Sequence, residues 1–183
     1  MTVAVFQETF SRQIEFVSEE IELVPTDSTC TVNGSYWFRN AGPNFIENTL
    51  LYPFVINEQL PYPDTMVVTD VSSGRQVHFT KGKSGIYFGV TIHAFETVLY
   101  RVSYAQKTHA RSMEYLLLTT AQWGKPLEQA LYRVRIPQKY ILTSSTILFP
   151  HMYEQNGEQV YEACEENFMP STNFAIQWEG RLP

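Results

Sequence analysis

The sequence predicts an all-β domain, an antiparallel β-sandwich of about ten strands with little or no helix. Three observations lead there. Composition is the first. The 183 residues include 17 Thr, 15 Val, 10 Ile, 12 Phe, 11 Tyr and 3 Trp, against 22 Ala and Leu together. Branched and aromatic side chains suit a pleated, half-buried surface. The second is apolar–polar alternation with the period of a strand that buries one face. The third is turn chemistry at short intervals, as all-β sandwiches and barrels require. Strands of uneven length, some apolar on both sides, favour the sandwich.

Residues 1–12 are weakly patterned and read as a tail or a first edge strand. Over residues 13–24 the apolar positions are Ile14, Phe16, Ile21 and Leu23, and alternation breaks near Ser18-Glu19-Glu20. Two short strands or one bulged strand fit this better than a helix. Glu19, Glu20 and Glu22 read together as a solvated strand face. After a break at Pro25-Thr26-Asp27-Ser28, residues 30–39 alternate cleanly. Cys30, Val32, Tyr36 and Phe38 share one face; Thr31, Asn33, Ser35, Trp37 and Arg39 share the other. Residues 45–56 form a strand bent at Pro53, and residues 57–64 are irregular around Pro61 and Pro63.

Residues 65–71 and 76–80 flank Ser72-Ser73-Gly74-Arg75 as a hairpin, and residues 86–92 follow a second turn. Residues 96–107 place Val98, Tyr100, Val102 and Tyr104 on one face. Residues 113–120 read as a strand and residues 121–126, with Trp123, Gly124 and Pro126, as a turn. Residues 125–131 are the nearest helical candidate, but strand is the better reading. Residues 130–136 point Tyr132, Val134 and Ile136 inward and Arg133 and Arg135 outward. An apolar segment follows over residues 140–149. Asn156-Gly157 marks a type I′ hairpin, because both positions tolerate positive φ. Phe174, Ile176 and Trp178 face inward on the last strand. With no repeat or linker, residues 1–183 read as a single domain.

The net charge of −6, with 13 basic against 19 acidic residues and no basic run, argues against nucleic acid and anionic membrane surfaces as partners. The longest nearly continuous apolar stretch, residues 49–56, falls far short of the ~20 residues of a spanning helix. The first residues lack the basic region of a signal peptide, which leaves a cytoplasmic protein or a chain that follows a removed leader. His78, His93, His109 and His151 are scattered and form no HExxH, so no metal site is expected. No nucleophile elbow or Walker spacing occurs, and no cofactor is expected. Cys30 and Cys164 have no CxxC partner; two reduced thiols or one disulfide both fit. Arg133 and Arg135, with Arg101 and Lys107, would form a small positive patch if their strands paired, or simply balance nearby glutamates.

The aromatics carry the functional hint. Trp37, Trp123, Tyr62 and Tyr87 occupy polar or turn positions, where rings anchor protein interfaces or stack on sugars.

Four segments resemble a known group: VNGSYWFRN at 32–40, YRVSYAQ at 100–106, WGKP at 123–126 and NFMP at 167–170. They resemble uncharacterised bacterial β-sandwich domains, often carried by exported or envelope proteins. The resemblance spans most of residues 20–178. It implies the fold and an extracytoplasmic setting, and no catalytic residues. The expected function is a non-catalytic binding or structural module that contacts a protein partner. A carbohydrate-binding domain is the alternative, and an enzyme with a spatially assembled site is the third.

Overall fold

The computed structural model describes residues 14–181. The tail or edge strand expected over residues 1–12 lies outside them. The strands are β1 (Ile14–Pro25), β2 (Thr29–Asn40), β3 (Ile46–Pro53), β4 (Thr65–Asp70), β5 (Arg75–Gln76), β6 (Phe79–Lys81) and β7 (Gly85–Ile92). They continue with β8 (Thr97–Lys107), β9 (Ser112–Tyr115), β10 (Leu127–Pro137), β11 (Tyr140–Ser145), β12 (His151–Gln155), β13 (Glu158–Phe168) and β14 (Phe174–Gly180). A short 3₁₀ helix, Leu118–Trp123, precedes β10.

The all-β expectation stands, but a ten-stranded antiparallel sandwich does not describe it. One eight-stranded sheet runs β12-β13-β10-β1-β2-β8-β4-β5. Two three-stranded sheets, β11-β14-β9 and β3-β7-β6, supply the rest. The large sheet is mixed, because β1 and β10 pair in parallel. A parallel pair needs a long crossover rather than a hairpin. Everything from β2 to β9 serves as that crossover, so no local signal announces it.

Both small sheets cover one face of the large sheet, and a single apolar cluster joins all three. Phe174 of β14 packs on Tyr132 of β10, with ring centroids 5.6 Å apart. Tyr52 of β3 packs on Tyr36 of β2 at 5.5 Å, and Phe88 of β7 on Tyr100 of β8 at 5.8 Å. The second layer is thus divided, and its seam lies above β1 and β2. The inward residues are those the alternation marks: Cys30, Val32, Tyr36 and Phe38 on β2, and Val98, Tyr100, Val102 and Tyr104 on β8, are all buried. Full burial of a large apolar side chain contributes about 1.5–3 kcal/mol.

The outer face of the large sheet carries a polar row. Glu162, Arg133, Glu22, Asn33 and Ser103 stand opposite one another on five successive strands. Arg133 pairs with Glu162, Asn33 donates to Glu22, and Ser103 donates to Asn33 at 2.7 Å. Arg135 meets Glu22 at 3.2 Å and Lys107 meets Asp64 at 3.1 Å. The strands of Arg101 and Arg133 are separated by β1 and β2, so the positive patch does not form. The charges balance glutamates instead.

The hairpin at Asn156-Gly157 is as read, with φ of 53° and 75°. The strand expected over 113–120 ends at Tyr115, and the expected turn at 121–126 begins inside the 3₁₀ helix. Asn173 accounts for this. Its Oδ1 accepts from the backbone N–H of Leu117 (3.1 Å) and Leu118 (3.2 Å), and its Nδ2 donates to Glu114 at 2.7 Å. Asn173→Ala is expected to lower stability by about 1–2 kcal/mol in urea unfolding, since two backbone donors lose their acceptor.

Candidate binding cleft

The seam between the small sheets opens into a cleft. Its floor is Phe16 and Glu19 of β1 with Tyr36 and Phe38 of β2. Leu50 and Tyr52 of β3 form one wall, and Tyr115, Thr120 and Trp123 the other. The cleft has a cavity volume of about 60 Å³. At roughly 10–15 Å³ per water centre, that is room for about four to six waters.

Glu19 reaches the floor because β1 is bulged. Pairing with β2 shifts register between Phe16 and Ser18. Ile14 and Phe16 face inward before the bulge; Glu19, Ile21 and Leu23 face inward after it. Glu20 and Glu22 remain on the outer face, as expected of all three. The solvated-face reading of Glu19 is therefore corrected: it is 2% exposed. Its Oε1 accepts a hydrogen bond from the Tyr132 hydroxyl at 2.7 Å. Burial pushes its carboxyl up to about 7, against a smaller opposing effect of that bond. Glu15, on the same strand before the bulge, is the contrast. Hydrogen bonds from Lys125 and Arg39 hold its carboxyl below the usual range.

Tyrosine hydroxyls complete the floor. Tyr36 Oη lies 2.7 Å from Tyr52 Oη and 2.8 Å from Tyr115 Oη, which links β2, β3 and β9. Burial holds all three hydroxyls, and that of Tyr132, well above the usual phenol range, so they remain neutral donors. Gly34 makes the arrangement possible. The Tyr36 ring lies back over it, and a Cβ at Gly34 would stand 1.8 Å from Tyr36 Oη.

The four aromatics singled out in the sequence do not converge. Trp123 lines the cleft, its ring 5.7 Å from Phe16 and 5.6 Å from Phe38. Trp37 is half-buried on the outer face of the large sheet, opposite Ser18 and Leu99. Tyr62 braces a loop: it donates to Gly85 O at 2.8 Å and packs edge-on against Phe54. Tyr87 is exposed on β7, beside Gly82. Sequence reading missed Glu19 and the tyrosine cluster. The available signal was the odd numbering that Glu19 shares with Ile21 and Leu23.

Cys30 and Cys164 are free. Cys30 is buried and Cys164 exposed, on strands three places apart in the sheet. That is ~14 Å at ~4.8 Å per strand, beyond the ~7 Å a disulfide spans. In this fold Cys30 and Cys164 therefore lie beyond disulfide reach of each other. Among the described residues, no group of three or more His, Cys, Asp or Glu could hold a metal ion. Among them, too, no helix is long and apolar enough to cross a membrane.

No protein-family model and no curated protein matches the chain in sequence. Solved structures match its fold. A candidate nutrient-binding protein from Legionella pneumophila superposes with a TM-score of 0.73 at 16% identity, over 91% of this chain and 67% of that one. An M1 zinc metallopeptidase from Deinococcus radiodurans gives 0.57 at 12% identity, over 91% of this chain and 42% of its own. A mutant of the Deinococcus enzyme gives 0.57 at 12%, over 94% and 44%. This chain spans less than half the length of those metallopeptidases. At such identities the likeness shows the fold alone.

Proposed function

We propose that the chain is a non-catalytic binding module whose site is the seam cleft. The observation that carries this is a buried carboxylate and a hydroxyl cluster on the floor of a half-open, aromatic-lined cavity. Ligand sites characteristically combine apolar walls with a few convergent polar groups. Among the described residues, the lining contains no His, Cys or Lys to pair with Glu19 as nucleophile or base, which favours binding over catalysis. The likeness to a candidate nutrient-binding protein supports the same reading, and with it an extracytoplasmic setting. The small interior suits a compact ligand, or a single side chain presented by a protein partner. A sugar platform is less well supported, because Trp37 and Trp123 lie on opposite faces of the large sheet.

The test is a fragment panel of cationic, neutral and anionic compounds, read by NMR at the three indole N–H resonances. Saturable shifts at Trp123, with Trp37 unmoved, are expected. Shifts confined to Trp37 would move the site to the outer sheet face, and a silent panel would overturn the reading.

A further inference from the structure

We propose that the ligand of the seam cleft is a small organic cation, an alkylammonium group held between Glu19 and the aromatic walls; this deepens the binding-module reading and rests on it. The lining fixes the sign of charge. Among the described residues, Glu19 is the one carboxyl group of the lining, no Lys, Arg or His joins it, and the walls are rings such as Phe16, Tyr36, Phe38, Tyr52 and Trp123. Ring faces and a carboxylate both attract cations, and aromatic cages bind quaternary ammonium groups. An anion would enter a desolvated site with no positive partner beside a group of its own sign. A neutral group would gain from the walls but nothing from the charge that Glu19 takes on when it ionises.

Tyr132 strengthens the assignment. Its hydroxyl bonds one carboxylate oxygen at 2.7 Å and orients the group. The other titratable side chains around Glu19 are Tyr36, Tyr52 and Tyr115, which burial keeps neutral. Glu19, with no cation partner among the described residues of the cleft, keeps its proton up to about pH 7. A bound ammonium would favour the ionised form, so binding and proton release are linked.

The experiment titrates tetramethylammonium chloride, tert-butanol and sodium pivalate at constant ionic strength, following the Trp123 indole resonance. The cation is expected to bind at least about tenfold more tightly than the isosteric alcohol, with pivalate silent. Its affinity is expected to rise about tenfold from pH 6 to pH 8, the change in the ionised fraction of a group titrating near 7. Glu19→Gln should abolish both the preference and the pH dependence. Should that variant fail to fold, Tyr132→Phe retains the carboxylate, and is expected to keep the preference while moving the pH midpoint upward. Equal binding of tert-butanol, or binding of pivalate, would overturn the cation assignment and leave the binding cleft standing. A Trp123 resonance that none of the three compounds moves, together with a silent fragment panel, would overturn both.

Discussion

Gly34→Ala is expected to destabilise the protein by about 3 kcal/mol, a large effect for one methyl group on a strand. An alanine Cβ there would stand 1.8 Å from Tyr36 Oη and 2.4 Å from its Cζ. A free tyrosine would swing away. This one is 5% exposed and tied by its hydroxyl to Tyr52 and Tyr115. Moving the ring breaks both bonds and leaves hydroxyls without partners in the core. Overpacking costs about 1–3 kcal/mol, and each buried group left unsatisfied adds to it. Chemical denaturation measures the loss, and a cycle with Tyr36→Ala tests its origin. In the Tyr36→Ala background the alanine at 34 should cost less than about 1 kcal/mol, within the usual penalties of core substitution. A full-size loss there would locate the strain elsewhere.

Glu19→Gln is expected to gain about 3 kcal/mol relative to the parent protein between pH 4 and pH 8. The carboxyl titrates near 7 when folded, against its ordinary 4.5. Between those values the unfolded chain has released a proton that the native state retains. The contribution of Glu19 to stability therefore falls as pH rises from 4.5 to 7, and is level beyond. At 1.36 kcal/mol per pKa unit the difference is about 3 kcal/mol. Glutamine does not titrate and can still accept from Tyr132. Glu15 works in the opposite sense, because its lowered pKa favours the folded state as pH rises. The informative quantity is thus the difference between variant and parent across pH, from urea unfolding. A difference independent of pH would mean that Glu19 is ionised and solvated in the folded protein.

Local chemistry was legible in the sequence and long-range geometry was not. The alternation of residues 30–39 gave the inward face of β2, and Asn156-Gly157 gave the β12–β13 turn, because each is decided by neighbouring residues. The break at Ser18 signalled a bulge. Its consequence, a carboxylate turned into the core, required knowing on which side of the break the phase changes. Tyr36, Tyr52 and Tyr115 meet across three strands from three sheets, and no spacing along the chain encodes that meeting. The 3₁₀ helix depends on Asn173, more than fifty positions downstream of the N–H groups it satisfies. Trp123 drew notice as an aromatic in a turn, and it does line the cleft. Trp37, noticed for its polar neighbours, lies on the outer sheet face instead.

The parallel pairing of β1 and β10 also sets an order of assembly. Ser18 faces Gln129 and Leu23 faces Val134, contacts more than a hundred residues apart. During synthesis β1 and β2 can pair early, since only a three-residue turn separates them. The other edge of β1 must wait until β10, more than a hundred residues further along, has been made. Unpaired edges recruit strands from other molecules, and charged side chains discourage this. Glu20 and Glu22 sit on that waiting strand, and Glu22 meets Arg135 once β10 arrives. A residue that protects the nascent chain by repulsion thus becomes, in the finished sheet, half of an ion pair.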